Sequence, residues 1–334
     1  KIKNISVITV NKEYKKKLNK NINLISPKSS QWKNSGIYTK YIISIYLLIK
    51  AILKYKHILI FSFQANWYSI LIAKLFGGKV ITRSNTAPQG WSNNYFKKIL
   101  YKIILNLADE IIVNSKEFKK NMLTNFGIKT KLIYNPLNLS VINKLSKKKF
   151  NYSFFKKNKS IKLINIGRFT DQKNQILLLK AFKNVSKKFR FRLVIAGRGP
   201  NEKMLKNFVK DNKLNSKVKI INFLDNPFPL MKMSDIFILS SNFEGLPNVL
   251  LEAQALKLPI ISSNCPTGPK EILLGNKFGL LFKVNNQKDL ENKIIYSFKN
   301  KKYLNKISND GYKYLFRFDE KRNLFKYYNV IKEY

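Results

Sequence analysis

Short runs of aliphatic and β-branched residues alternate along the chain with longer segments whose apolar residues recur at helical spacing. In the first half, this pattern predicts strands at residues 5–10, 57–61, 79–82, 110–114 and 131–134. It predicts helices at residues 37–54, 65–76, 94–107 and 116–126, the last of them capped by Ser115.

The pattern starts again after residues 144–159, a lysine-rich stretch without glycine that we interpret as a linker. Strands are predicted at residues 161–166, 191–196, 218–222, 236–239 and 259–262. Helices are predicted at residues 174–187, 201–214, 287–299 and 320–331, and one more begins at Pro247. Such alternation is typical of parallel α/β architecture. The sequence therefore predicts two Rossmann-like, doubly wound α/β domains, residues 1–143 and 160–316, facing each other across a cleft, with a final helical segment at 317–334.

Composition adds a strong positive charge to this picture. The chain has 64 Lys and Arg against 18 Asp and Glu, a formal net charge of +46. That charge would attract nucleic acid, anionic lipid or phosphorylated substrates. Compositional bias offers an alternative, because the lysines are spread through every segment and would then simply solvate the surface.

Composition also excludes several classes of protein. A hydrophobic content of 45% argues against a disordered chain, and a single cysteine, Cys265, excludes an internal disulfide and a cysteine-cluster metal site. The apolar run at residues 41–53 is too short to span a bilayer and contains Lys50, so no transmembrane helix is predicted. No signal peptide is predicted either, because the first residues alternate lysine with apolar residues.

Two turns that follow predicted strands carry cations. Gly167 and Arg168 end one strand and Lys173 follows, so that two cations at a strand-to-helix turn could hold a diphosphate. The alternative is an ordinary turn with two solvated cations. The next strand runs into residues 196–200, where Arg198 lies between two glycines. This loop alone is weak evidence, because it lacks the third glycine of the dinucleotide fingerprint.

The most informative stretch runs from Glu244 to Glu252. Gly245 and Pro247 open a helix, and its dipole favours an anion at its start. The amides of that first turn belong to Leu246, Asn248 and Val249. Glu244 precedes the helix and Glu252 lies about two turns inside it, where carboxylates suit the vicinal hydroxyls of ribose or a sugar. The alternative is a capping glutamate and a surface glutamate.

Together these motifs resemble family 4 of the glycosyltransferases, which have the GT-B fold. The resemblance covers nearly the whole chain and is strongest over residues 161–273. It rests on the strand-end Gly167-Arg168 with Lys173, the loop 196–200, the two-glutamate motif, the stretch 236–241 preceded by an aspartate, and the rigid loop 265–271. We expect that last loop, which ends at Glu271, to line the same edge of the cleft as Glu244.

The resemblance implies roles for these residues. Arg168 and Lys173 would hold the donor diphosphate and stabilise the leaving nucleotide, and with Glu244, which would bind the transferred sugar, they are the catalytic candidates. Glu252 would bind the ribose hydroxyls, and the final segment, 317–334, would cross back onto the first domain. The other donor-binding candidates are Gly167, Arg198, Phe223, Leu224, Gly245, Leu246, Pro247, Asn248 and Val249, with the backbone around Phe223 and Leu224 meeting the base.

Two features depart from the family pattern. Residues 5–10 match the family's second strand, so we expect the opening strand and its glycine-rich loop to be absent and the first domain to be truncated. Many members carry a histidine after the strand that begins here at Val80, where this chain has Arg83 and Asn85 as acceptor-side candidates. The only histidine, His57, begins a different strand and is interpreted as structural.

The resemblance implies a retaining transfer of a sugar from a UDP-sugar, or as second choice GDP-mannose, to a glycan or lipid-linked glycan in cell-surface polysaccharide or lipopolysaccharide synthesis. No metal or other cofactor is expected, so cations and helix amides would stabilise the departing diphosphate. We expect a cytoplasmic enzyme at the periphery of the anionic inner membrane face, without a specific nucleic-acid partner. Two alternatives stay open: a nucleotide-sugar epimerase of the same fold and a basic nucleic-acid-binding protein.

Overall fold

The computed structural model describes residues 4–29, 31–55, 58–63, 67–85, 95–150, 152–156 and 160–334. Within these residues, the strands form two main parallel sheets flanked by helices and one small sheet of two parallel strands. The predicted α/β class with two parallel sheets is therefore confirmed.

The first half contributes the smaller of the two main sheets. The strands of the first half are β1 (Ser6–Ile8), β2 (Asn23–Ile25), β3 (Leu59–Phe63), β4 (Lys79–Ser84), β5 (Glu110–Val113) and β6 (Lys131–Leu132). Its helices are α1 (Ile37–Lys54), α2 (Trp67–Leu75), α3 (Tyr95–Asn106), α4 (Lys116–Phe126), α5 (Leu139–Ser146) and α6 (Ser153–Lys156). Strands β3 to β6 form one sheet in sequence order, and β1 pairs with β2 apart from it.

The second half contributes a sheet of six described strands. These are β7 (Ile161–Ile166), β8 (Phe191–Ala196), β9 (Val218–Ile221), β10 (Ile236–Leu239), β11 (Ile260–Ser263) and β12 (Leu280–Phe282). The helices are α7 (Gln175–Lys188), α8 (Glu202–Asp211), α9 (Phe228–Lys232), α10 (Asn248–Ala255), α11 (Pro269–Ile272), α12 (Gln287–Lys299), α13 (Lys301–Lys313) and α14 (Glu320–Lys332).

The strand order of the second sheet brings two distant loops together. The order is β12-β11-β10-β7-β8-β9, so the chain leaves β9 at one edge and returns to place β10 beside β7. Ligands of open parallel sheets bind at such a reversal, beyond the carboxyl ends of the two central strands. The loop after β7 holds Lys173 and the loop after β10 holds Glu244, so the fold itself places both at this point.

Both faces of the second sheet are buried, because helices cover each of them. Leu163 packs on one face and its neighbour Ile164 on the other, and Ile238 and Leu239 alternate in the same way. This explains why the strands are predominantly apolar in the sequence.

Capping residues in the sequence correctly marked both ends of helix α4. Helix α4 begins after Ser115, whose hydroxyl accepts a hydrogen bond from the Phe118 amide, and it ends at Gly127 with a left-handed φ of 67°. Strand β12 and helix α13 were not predicted. β12 has only three residues, and α13 is rich in polar residues and contains Gly311, which disfavours a helix.

The segments at the predicted domain borders pack against both halves. Part of the stretch 144–159 is helical, and Phe155 is buried in the core of the second sheet. Helix α14 returns to the first sheet, where Val330 packs with Ile81 and Ile112. The bounds of the predicted domains stay a prediction.

No helix in the described part of the chain combines the length and the apolar character that a membrane span requires.

Candidate active site

Lys173 and Glu244 form an ion pair at the reversal point of the second sheet. The Lys173 Nζ lies 2.6 Å from the Glu244 Oε1, and the Ser241 hydroxyl donates to the same oxygen at 2.6 Å. The lysine side chain is 15% exposed and the glutamate side chain 7%. The structure therefore brings two of the candidate catalytic residues into direct contact and shields them from water.

Asparagines hold the turn that carries Lys173. The Asn174 Nδ2 donates to the Asn242 Oδ1 at 3.0 Å and to the Asn285 Oδ1 at 2.7 Å. The Asn242 Nδ2 in turn donates to the Asp171 carbonyl at 2.8 Å. These bonds tie the loop after β7 to the loops after β10 and β12, so the lysine is held in place before any ligand binds.

Glycine is required where the start of α10 meets the first half of the chain. A Cβ at Gly245 would lie 1.9 Å from the Asn85 carbonyl oxygen, and a Cβ at Gly268 would lie 2.1 Å from the Gly245 carbonyl oxygen. Gly268 also has a φ of 81°. The backbone of Asn85 therefore touches the mouth of α10, which places this acceptor-side candidate against the donor side.

Helix α10 begins one residue later than the sequence indicated, with Pro247 at its N-cap and Asn248 as its first residue. The side chain of Leu246 is buried in the core beneath, and Val249 packs partly against the same core. The role predicted for the backbone amides of this turn stays a prediction.

Asn135 is a site residue that the sequence reasoning missed. Its Nδ2 donates to the Leu246 carbonyl at 3.0 Å and to the Asn248 Oδ1 at 2.5 Å, while its Oδ1 accepts from the Arg83 Nη2 at 2.5 Å. The guanidinium of Arg83 also lies over the ring of Tyr327, 5.7 Å from its centroid. Asn135 thus links the acceptor-side arginine to the donor helix. The available signal was a polar residue directly after the last strand of the first half.

The Glu252 carboxylate is half-buried on α10 and has no hydrogen-bond or ionic partner among the described residues. Burial raises the pKa of Glu252 to about 7. A carboxylate in this state gains from hydroxyl donors, which would replace the water it has lost.

The remaining cations near the site are exposed. The Arg198 guanidinium lies 5.1 Å from the ring centroid of Phe223, which is 55% exposed, and Leu224 beside it is half-buried. Arg168 is exposed, and its side chain has no acidic partner in the described structure. Both arginines are therefore available to an anion.

Close packing explains the glycines of the loop 196–200. A Cβ at Gly197 would lie 2.0 Å from the Gly167 carbonyl oxygen, and a Cβ at Gly199 would lie 2.4 Å from the Phe169 carbonyl oxygen. At Gly167 itself a Cβ would make only ordinary contacts, the nearest 3.6 Å away on Lys173. The predicted donor role of Gly167 thus has no steric requirement behind it and stays a prediction.

The loop 265–271 meets the first half of the chain through Glu271. This carboxylate accepts from the Tyr134 hydroxyl and, at 2.8 Å, from the Lys116 amide. Burial and the hydrogen bond to Glu271 raise the pKa of Tyr134. In return, the Glu117 carboxylate accepts from the Thr267 amide at 3.2 Å. Two carboxylates therefore fasten this loop across the cleft.

Within the ranges that the structure describes, no three His, Cys, Asp or Glu side chains come together as a metal site would require. His57 lies outside the described residues.

Comparison with known proteins identifies glycosyltransferases as relatives of this chain. The chain is 32% identical over 248 residues to an uncharacterized glycosyltransferase of Methanocaldococcus jannaschii, a match that covers 68% of this chain and only 61% of the relative's length. It is 29% identical to the N-acetylgalactosamine-N,N'-diacetylbacillosaminyl-diphospho-undecaprenol 4-alpha-N-acetylgalactosaminyltransferase of Campylobacter jejuni, over 74% of this chain and 73% of that protein. Other relatives are named for capsular polysaccharide and O-antigen biosynthesis.

Solved structures share the fold. The Anabaena protein HepE, crystallised in complex with UDP, superposes with a TM-score of 0.77 at 15% identity and is covered completely, as is this chain. The family model for glycosyl transferases group 1 matches residues 146–314, which span half of the chain. The resemblance to family 4 and the GT-B fold is thereby confirmed, and the chain belongs to the glycosyl transferases of group 1.

Proposed function

We propose that this protein transfers a sugar, with retention of configuration, from a nucleotide diphosphate sugar to a glycan or lipid-linked glycan of the cell surface. The observation that carries the proposal is the shielded Lys173–Glu244 pair at the mouth of α10, with the unpartnered Glu252 further along the same helix. This point of strand-order reversal combines a cation and helix amides, which suit a diphosphate, with carboxylates. The carboxylates suit the two sugars that flank the diphosphate, the ribose and the transferred sugar.

The diphosphate binds between the start of α10 and the cations of the β7 and β8 loops. Arg168 and Arg198 are exposed and free of acidic partners among the described residues, so they can turn to the anion at little cost. Lys173 shares its ammonium group between Glu244 and the bound phosphate. As the bond from the sugar carbon to the diphosphate breaks, negative charge grows on the departing oxygen, and these cations stabilise it.

Glu244 orients the transferred sugar. Its Oε1 is held by Lys173 and Ser241, and its carbonyl accepts from the Thr267 hydroxyl, so the group cannot swing away when the sugar arrives. A fixed carboxylate binds sugar hydroxyls at a defined position, which aligns the anomeric carbon for attack by the acceptor.

Uridine is the preferred base, with guanosine as second choice. The exposed ring of Phe223, covered on one side by Arg198, offers a flat surface at the end of the donor site, and the HepE structure contains UDP. The name of the Campylobacter relative includes a diphospho-undecaprenol glycan, which supports a lipid-linked acceptor here.

A thermal unfolding screen with nucleotides and nucleotide sugars tests the proposal. A ligand at 100 times its Kd stabilises the folded state by about 2.7 kcal/mol, which raises the melting temperature measurably. We expect UDP and UDP-sugars to stabilise the wild type and to lose this effect in Glu252→Gln, while Glu202→Gln, on the surface helix α8, responds like the wild type. Stabilisation by none of these compounds would contradict the proposal.

Product analysis then separates transfer from epimerisation. A transferase consumes the nucleotide sugar only when acceptor is present and releases the nucleotide diphosphate. An epimerase would convert the nucleotide sugar into an isomer without any acceptor, and that outcome would replace the proposal.

A further inference from the structure

Three neighbouring helices of the first half expose apolar side chains at helical spacing. On α1, Tyr38, Ile42, Tyr46 and Leu53 follow one another by four, four and seven positions, and all are exposed. The buried residues of this helix, Leu47, Leu48 and Ala51, lie on its other side. Helix α1 therefore carries two apolar stripes. One faces the core, and the other faces away from the protein.

Helices α2 and α3 repeat this arrangement. On α2, Trp67, Leu71 and Leu75 are spaced by four positions and exposed, and Leu75 reaches 80%. On α3 the exposed apolar residues are Phe96, Ile99, Leu100 and Ile103, and exposed Leu107 directly follows the helix, while Ile104 and Leu105 face the core. Such large apolar side chains in regular rows are unusual on a surface that meets only water.

The three stripes belong to one layer. Helix α2 packs between α1 and α3 and against strands β3 and β4, and the rings of Tyr41 and Tyr68 join α1 to α2 at 5.7 Å. We call the outer side of α1, α2 and α3, defined by the three stripes, the helical face.

The charge of the helical face identifies its partner. The three helices contain seven lysines and no aspartate or glutamate. Lys74 forms an ion pair with Asp109 at 2.6 Å. A second copy of this chain would bring the same lysines opposite one another, and the net charge of +46 would oppose that contact. An anionic bilayer instead accepts apolar and aromatic side chains beside lysine.

We propose that the helical face is a membrane-docking surface, which inserts its apolar stripes between the headgroups of an anionic bilayer while its lysines contact the lipid phosphates. The three stripes are the apolar part of the contact, and Lys50, Lys54 and Lys102 at their borders are the electrostatic part. This inference rests on the proposed function in one respect, since a lipid-linked acceptor is met at that bilayer.

Vesicle flotation without donor or acceptor tests the helical face. We expect the wild type to bind vesicles of phosphatidylcholine with one third phosphatidylglycerol, and to bind pure phosphatidylcholine vesicles far less. The triple variant Ile42→Ser, Leu75→Ser and Leu100→Ser removes one apolar residue from each stripe and should lower the partition coefficient at least tenfold, as an order-of-magnitude expectation. Lys50→Gln, Lys54→Gln and Lys102→Gln should each lower it about fivefold at low salt.

Helix α14 supplies a matched control. It packs on Ile81 and Ile112, whereas α2 and α3 pack on Val80 and Ile111, so it lies on the opposite face of the first sheet. Its Leu324 is 50% exposed, close to the 56% of Leu100. The control variant Leu324→Ser with Phe325→Ser should keep vesicle binding within twofold of the wild type.

Three outcomes would overturn the inference. They are no binding of the wild type to anionic vesicles, equal binding by the stripe variant, or a wild-type dimer in solution that the stripe substitutions dissociate. The melting temperature and its shift with UDP are measured on every variant. All substituted residues are exposed and lie outside the donor site, so we expect both values to match the wild type. If the protein does not bind UDP but still binds anionic vesicles, the proposed function is wrong and the docking surface stands.

Discussion

Replacing Lys173 with methionine removes the positive half of the pair with Glu244 and keeps most of the side-chain volume. The charged groups are 2.6 Å apart and their side chains are 15% and 7% exposed, so water cannot readily take the place of the lost cation. Breaking a buried pair by removing one partner costs about 3–5 kcal/mol, and because both side chains keep some exposure we expect a loss of about 3 kcal/mol. With an unfolding entropy of about 2.1 cal/mol/K per residue, this loss lowers the melting temperature of the 334-residue chain by about 4 °C.

The double variant Lys173→Met with Glu244→Gln separates stability from catalysis. It removes both charges, so we expect the stability to return to within about 1 kcal/mol of the wild type. Turnover should stay low in both variants, by roughly 10²–10³-fold, because the departing diphosphate has lost a cation. Urea unfolding gives the stability, and release of the nucleotide diphosphate gives the turnover.

Lys206→Met is the matched control. It breaks an ion pair of the same length, 2.6 Å, in which the side chains are 55% and 31% exposed, so a loss below about 1 kcal/mol is expected. If Lys173→Met unfolds at the wild-type temperature, the pair does not stabilise the fold. If it keeps full turnover, Lys173 does not act on the diphosphate.

Three further substitutions test the rest of the site. Burial raises the pKa of Glu252 to about 7, so between about pH 4.5 and 7 the unfolded state loses its proton first and wild-type stability falls as pH rises. Glu252→Gln should therefore match the wild type at pH 4, exceed it at pH 8 by roughly 1–3 kcal/mol, and bind UDP more weakly. Gly245→Ala would place a methyl group 1.9 Å from the Asn85 carbonyl oxygen, so we expect a loss of about 1–3 kcal/mol in urea unfolding. Asn135→Leu leaves the Leu246 carbonyl without its donor, with a similar loss of about 1–3 kcal/mol and reduced turnover in the transfer assay.

Each of these has a control and an opposing outcome. A stability difference for Glu252→Gln that does not change with pH would rule out the titration of that carboxyl. Gly36→Ala, where no atom lies within 4 Å of the new Cβ, should be neutral, and equal effects of the two alanines would contradict the steric argument. Asn309→Leu, on an exposed helical turn, should leave stability and turnover unchanged. A neutral Asn135→Leu would show that the bridge contributes nothing.

Periodicity in a sequence does not distinguish the covered side of a helix from its exposed side when both sides are apolar. The apolar run at residues 41–53 was visible in the sequence and was too short to span a bilayer. The spacing of its apolar residues does not show which side of the helix packs against the protein, since the adjacent residues Tyr46 and Leu47 are both hydrophobic. Only packing against α2 and β1 buries Leu47 and leaves Tyr46 exposed.

Most of the longer helices and strands, and the chemistry of the motifs, could be inferred from the sequence without a structure. Ser115 and Gly127 bounded a helix, the β-branched segment 161–166 indicated a buried strand, and Gly245 with Pro247 indicated a helix start that suits an anion. These signals are local, because capping bonds, backbone sterics and periodicity act within a few residues.

Which of these segments come into contact depends on the three-dimensional packing of the chain. The second sheet buries apolar residues on both of its faces, so nothing in the pattern of residues states that β10 lies beside β7. That order brings Lys173 to within 2.6 Å of Glu244, 71 positions further along the chain. Asn135 likewise reaches the carbonyl of Leu246 only because the two halves close on each other. Contacts between residues so far apart depend on the packing of whole elements, which local propensity does not encode.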